Sequence, residues 1–249
     1  LTDVTGVQTC ALPIWLAREG ALKIREVVLN HSEGMEASEF KHGPNTILGK
    51  NFTFGLEQVQ HGLTGFTGLY AELAERVQAG GLPPAALGPL AAALADYLVH
   101  HSRPFHLRPE EEQALQPLLQ RDFYSPLFAP YPLLFLTPPT QRDVELTISQ
   151  INTHKIRGAA IYVIAEENEE LRQAAVRPPA DAPGYRSYYL TLPRTGSELL
   201  YPFSAVVALQ MLALEMSVLK MKYLNRLKIP MHGVHPDVPK NVSKSITVD

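Results

Sequence analysis

Three short runs, residues 131–136, 159–165 and 188–192, are apolar almost throughout, and they constrain this chain more than anything else in it. A strand with one wet face alternates apolar and polar residues, whereas a continuous apolar run of strand length is buried on both faces, as in a parallel sheet. Between the first two runs, residues 141–157 read as a helix closed by Gly158, so the order is strand, helix, strand. The third run leads through Pro193 into a long helix from about Ser197 to Leu227. Strands alternating with helices predict an α/β domain, a parallel sheet flanked by helices on both faces.

Residues 51–130 have a different pattern. Phe66, Leu69, Tyr70, Leu73 and Val77 form one helical stripe, Leu87, Leu90, Leu94 and Leu98 a second, and Leu115, Leu118 and Leu119 a third. No strand pattern interrupts them, and the breaks fall at Gly80-Gly81-Leu82-Pro83-Pro84 and Arg103-Pro104. The expectation is a helical insertion within the α/β domain, serving oligomer contact because its stripes must be buried against something.

Composition removes several classes of function. With 22 basic and 25 acidic side chains the net charge is −3, so no basic surface for nucleic acid is implied. Residues 199–219 are long enough to span a bilayer, but Gln210 and Glu215 interrupt them, and a buried helix explains them better than a membrane span. Cys10 is the only cysteine and no secretory signal is visible, which points to the cytoplasm. Gly62, Gly65 and Gly68 precede a helix without the spacing of a nucleotide loop, and Thr195-Gly-Ser-Glu198 fits a capping box for the long helix. His100, His101, His106, His232 and His235 lack a cysteine or carboxylate set at ligand spacing, so no metal is expected.

Residues 1–15 stand apart. Val4 to Ile14 resembles the translation, in one frame, of a common sequencing adapter, with a short disordered arm as the plainer alternative. On the adapter reading the chain is N-terminally truncated, and its natural sequence continues upstream of Leu16.

Residues 16–29 read as an amphipathic helix already under way, in which Glu19, Lys23 and Glu26 share one face at i, i+4 and i+7. Spacing alone favours a solvated ion-pair ladder. Residues 31–41 are short and Glu-rich, and Lys41-His-Gly-Pro44 places Pro at a first helical position with His42 beside a helix N-terminus. A general acid or base could be held there, although a lone histidine is more often a cap or a satisfied surface group. Lys244, near the C-terminus, is by default an exposed cation.

The segments Glu19-Gly-Ala-Leu-Lys-Ile-Arg-Glu26, Glu39-Phe-Lys-His-Gly-Pro44 and Asn241-Val-Ser-Lys-Ser-Ile-Thr-Val-Asp249 occur together and in this order. Jointly they resemble the second sugar-isomerase (SIS) domain of the isomerising glutamine:fructose-6-phosphate aminotransferases, where the segments read close to EGALKLKE, GELKHGP and NLAKSVTVE. The resemblance covers residues 16–50 and 131–249, and it implies a partial, flavodoxin-like SIS domain carrying the 51–130 insertion. It implies that Glu26 moves a proton between C1 and C2 of an opened sugar phosphate. It gives His42 to ring opening from a neighbouring subunit, sets Lys23 beside the base, and brings Lys244 to the open-chain carbonyl. Ser243 and Glu19 are implied to bind substrate, Glu19 also holding the Lys23 ammonium.

No cofactor is implied. The implied partners are a sugar phosphate, the upstream SIS domain with its phosphate-binding loop, an upstream glutaminase, and further copies of the chain in a homodimer or larger assembly. Two rivals remain: a stand-alone SIS-family glucosamine-6-phosphate deaminase or deglycase, and a regulatory module that binds sugar phosphate without needing a base or a lysine tail. The adapter reading predicts that amplification from source DNA across the junction at Leu16 yields a different upstream sequence. Finding Val4 to Ile14 encoded there would end it.

Overall fold

The computed structural model of the chain describes residues 6–9, 14–49, 55–101, 107–182 and 184–234. The chain divides into two compact units, one drawn from Leu1–Asn51 and Pro130–Asp249, the other from Phe52–Ala129.

Among its described residues the first unit is built on five strands, β1 (Gly6–Thr9), β2 (Glu33–Glu36), β3 (Tyr131–Thr137), β4 (Ala159–Glu166) and β5 (Ser187–Leu192), all parallel and in the order β2-β1-β3-β4-β5. Its fold class is α/β, and this strand order is the flavodoxin-like one. Side chains of β3 leave alternately to the two faces. Leu133 and Phe135 join Ile161, Val163, Phe40, Val144 and Ile151 on one side. Leu134 and Leu136 join Ile164, Leu16, Ile24, Tyr201 and Leu209 on the other. The first face is therefore covered by α2 (Ala37–His42), α6 (Gln141–Lys155) and α7 (Glu169–Val176), and the second by α1 (Ile14–Lys23) and α8 (Tyr201–Arg226). Truncating a ring as enclosed as Phe135 to alanine costs about 3–5 kcal/mol in such cores.

Local chemistry sets the helix ends on the first face. The Thr140 hydroxyl accepts from the Asp143 backbone N–H at the start of α6, and the Asn168 side chain accepts from the Leu171 N–H at the start of α7. Lys155 closes the other end of α7 by donating to the carbonyls of Ala174 and Arg177, at 2.8 and 3.3 Å.

Several expectations change. Residues 31–41 hold strand β2 as well as a helix. As the last strand of the sheet β2 keeps its polar side chains partly exposed, so no apolar run announces it. The stretch set apart as adapter translation supplies β1 and the first two residues of α1, so Gly6–Thr9 are not a disordered arm. A parallel ladder is made of backbone N–H and C=O groups, and through them β1 pairs with β2 on one side and β3 on the other. Helix α8 starts at Tyr201, and it is not buried all round. It is long and apolar enough to cross a membrane, yet Tyr201, Ala205, Leu209, Ala213 and Met216 pack on the sheet while Phe203, Val207, Met211 and Leu214 face outward.

The second unit is helical throughout its described residues: α3 (Leu56–Ala79), α4 (Leu87–His100), α5 (Pro109–Leu119) and short 3₁₀ turns. Leu69, Leu73 and Val77 of α3, Leu90, Leu94 and Leu98 of α4, and Leu115 and Leu118 of α5 form one core. The stripes thus bury one another and do not require another subunit to cover them. Gly62, Gly65 and Gly68 lie inside α3 rather than before it; a side chain at Gly65 would meet the Phe123 ring at 3.4 Å, so that glycine allows close packing.

The packing of the first unit can be tested at two positions. A Cβ at Gly34 of β2 would stand 2.3 Å from the Ala17 backbone of α1, a contact that no rotamer can relieve. Gly34→Ala is expected to destabilise the chain by about 1–3 kcal/mol in urea denaturation, and an unchanged midpoint would contradict the close approach.

His154 is fully buried between Phe40 and Phe135, with ring centroids 5.2 and 6.4 Å away, and neither ring nitrogen has a hydrogen-bond partner among the described residues. Burial, then the charges of Arg157 and Lys41, lowers its pKa to about 4. The unfolded chain takes up this proton near pH 6.5 and the folded chain does not, so stability falls as the pH drops from 6.5 towards 4. The loss is on the order of 3 kcal/mol, and His154→Leu is expected to flatten that part of the pH profile of urea stability. Identical profiles for the two proteins would contradict the buried neutral ring.

Candidate active site on the first helix

Helix α1 turns Leu16, Ala17, Gly20 and Ala21 inward, which leaves Glu19 and Lys23 half-buried on its flank. Gly20 lies where α1 packs on α8, and a Cβ there would stand 3.0 Å from the Leu209 side chain, which would have to shift to admit it. The helix then widens into a π turn, Ile24–Val28, that carries Glu26. Such turns shift the direction of every later side chain and recur at functional sites.

The structure brings Glu19, Lys23 and Glu26 together. The Lys23 ammonium lies 3.0 Å from a Glu26 carboxylate oxygen, to which it donates, and 3.6 Å from one of Glu19. Its pKa is raised, first by the hydrogen bond to Glu26; burial opposes this, and the charges of Glu19 and Glu26 add to it. Lys23 is therefore a cation held between two carboxylates, each about one-third exposed and open to a ligand. A carboxylate base and a cation fixed side by side can remove a proton from carbon and steady the anion that forms.

The end of this segment is tied to α8. The Ser217 hydroxyl donates to the Val27 carbonyl at 3.0 Å, and the Lys220 ammonium donates to the carbonyls of Val28 and Leu29, at 2.9 and 3.3 Å, and to the Asn30 side-chain oxygen. Leu29 closes the segment in the left-handed region, at φ 57° and ψ 39°.

His42 is the last residue of α2 and directly precedes Gly43, the N-cap of the four-residue 3₁₀ turn in which Pro44 takes the first position. Helix α2 is set by its N-cap Glu36, which accepts from the backbone N–H groups of Ser38 and Glu39, and by Ala37 and Phe40 packing on the sheet. Because α2 and α1 cover opposite faces, His42 is exposed and not grouped with Glu19, Lys23 and Glu26. Ser243 and Lys244 lie outside the described residues.

A second polar group was not anticipated. Glu166, the last residue of β4, is buried and accepts from the Thr195 N–H at 2.9 Å, the Gly196 N–H at 3.2 Å and the Thr195 hydroxyl. Burial is the largest influence on its pKa and pushes it up, but the Thr195 and Gly196 donors and Arg194 outweigh it and hold the carboxyl below its usual value. This overturns the capping box. Thr195 belongs to Glu166, and α8 begins five residues after Gly196 with no side-chain cap. Glutamate ending a buried apolar run was the available signal. Nearby, a cleft of about 430 Å³ lined by Trp15, Pro138, Leu199 and Phe203 opens past the carboxyl ends of the strands. Among the described residues no three His, Cys, Asp or Glu side chains are grouped as a metal ion would need.

No protein-family model matches the chain. Over 37 residues, 15% of the chain, it is 49% identical to a protein of Acanthamoeba polyphaga mimivirus described as a probable glutamine–fructose-6-phosphate aminotransferase (isomerizing). Over 35 residues, 14% of the chain, it is 57% identical to glutamine–fructose-6-phosphate aminotransferase (isomerizing) 1 of Arabidopsis thaliana. These stretches amount to 6% and 5% of the two proteins. Among solved structures it is similar to the C-terminal domain of glucosamine-fructose-6-phosphate aminotransferase from Francisella tularensis, with a TM-score of 0.45 and 15% identity, covering 88% of this chain and 37% of that one. The two sequence matches bear the name of the family that the three motifs resemble.

Proposed function

We propose that this chain is the isomerase half of an isomerising glutamine:fructose-6-phosphate aminotransferase, which makes glucosamine 6-phosphate. The observation that carries the reading is Glu26, set in a π turn with the Lys23 ammonium 3.0 Å from its carboxylate. Exchange between ketose and aldose needs a base for a carbon-bound proton beside a carbonyl, and positive charge where the enediolate oxygen develops. Glu26 is the base between C1 and C2, a role that typically supplies about 10² to 10⁴-fold in rate. Lys23 steadies the enediolate, and Glu19, 3.6 Å away, holds that ammonium in place and faces the substrate.

His42 protonates the ring oxygen during opening. Its exposure at the end of a helix on the opposite sheet face from α1 supports delivery to a second protomer's site, and hence a homodimer or larger assembly. Lys244 reaches the open-chain carbonyl and Ser243 binds the sugar phosphate. The phosphate loop belongs to an upstream SIS domain and ammonia comes from an upstream glutaminase, so the working protein is multi-domain; we read it as cytoplasmic and as working without a cofactor.

In the full-length enzyme, Glu26→Gln is expected to lower kcat for glucosamine 6-phosphate formation by about 10² to 10⁴-fold with little change in KM, because the amide keeps the shape but cannot take the proton. Lys244→Ala is expected to lower kcat and raise KM together, since a cation on the carbonyl serves both binding and the transition state. Near-normal turnover by Glu26→Gln would return Glu19, Lys23 and Glu26 to a surface ion-pair ladder.

A further inference from the structure

We infer that Lys220 of α8 is a positioning residue that holds the π turn in the register that aims Glu26. The inference rests on the reading of Glu26 as the base and extends it to a residue outside the three motifs.

The end of a helix leaves its last carbonyls without partners, and an ordinary end closes on glycine in the left-handed position. Here that position is filled by Leu29, a branched side chain at φ 57° that gains nothing from such a conformation. Strain of this kind persists only where surrounding contacts impose it, and it gathers at functional sites. The imposing contacts are visible: Lys220 donates to the carbonyls of Val28 and Leu29 and to Asn30, and Ser217 to the carbonyl of Val27. Three successive carbonyls that a π turn leaves open are thus satisfied from one helix. Both donors sit where α8 also buries Met216 against the sheet, so the grip is anchored in the core.

The geometry explains why this matters for Glu26. Successive residues of an α-helix are about 100° apart around its axis, so each residue added to a turn rotates all later side chains. Relaxing Ile24–Val28 to an ordinary α-turn would swing Glu26 away from its present direction while leaving Glu19 and Lys23 unmoved. Lys220 therefore acts on the base through the backbone and touches no substrate.

The test uses the full-length enzyme with Lys220→Met, Lys220→Arg, Ser217→Ala and Glu26→Gln. Lys220→Met is expected to lower kcat on the order of 10- to 100-fold with KM within about twofold, the scale for a misplaced catalytic group. Lys220→Arg, which can still donate to carbonyls, is expected to restore most of that loss, and amide exchange of residues 27–30 should quicken in Lys220→Met alone. If Lys220→Met keeps normal kcat while Glu26→Gln is inactive, the inference is overturned, even if the melting temperature drops. If Glu26→Gln is itself active, the base reading falls whatever Lys220 does. Should Lys220→Met fail to fold, Ser217→Ala decides: a fall in kcat at constant KM supports positioning, and an unchanged kcat overturns it.

Discussion

Burial of β3 and β4 on both faces is the constraint on which the rest of the first unit depends. Their side chains are apolar at nearly every position, so neither face can be left to water, and helices must cover both. Crossovers that move in one direction along the sheet share a face, which assigns α2, α6 and α7 to one side and leaves α1 with α8 on the other. That pairing has the chemical consequence. Helix α1 carries the charged residues and α8 carries the groups that hold its end, so the direction of Glu26 is fixed by a helix nearly two hundred residues further along the chain.

Strand β2 shows the same constraint from its edge. Gly34 lets the α1 backbone approach to within what a single methyl group would obstruct, and the glycine of the Glu-Gly-Ala-Leu-Lys segment leaves room for the Leu209 side chain of α8. The segment therefore combines two kinds of residue, the small ones that let the helix sit deep and the charged ones on its flank. A ladder of exposed charges alone would have no use for the first kind.

Much of this was legible in the residues. Apolar runs announced β3, β4 and β5, although only β3 and β4 are buried on both faces and β5, at the sheet edge, leaves Tyr188 and Thr191 exposed; three leucine-rich stripes announced the helices of the second unit. Edge strand β2 and the eight-residue α7 were not legible, because the short Glu-Gly-Met-Glu strand keeps its side chains half-buried or exposed and a helix of two turns buries little more than Leu171 and Ala175. The spacing of Glu19, Lys23 and Glu26 predicted a shared face, but not the π turn, which depends on contacts from Ser217 and Lys220. Thr195 misled for the same reason. Its capping pattern is local, whereas its real partner, Glu166, is brought to it by the sheet. The helical insertion resolved its own apolar surface, which left its role without support from burial.

The most direct measurement is a structure of the full-length protein with fructose 6-phosphate bound. The account predicts that C1 and C2 of the sugar lie at the π turn, with the Glu26 carboxylate within about 3 Å of the proton-bearing oxygen or carbon and Lys23 facing the same oxygen. A sugar phosphate seated instead beyond the carboxyl ends of β4 and β5, against Glu166 and Thr195, with Glu26 touching only Lys23, would contradict it.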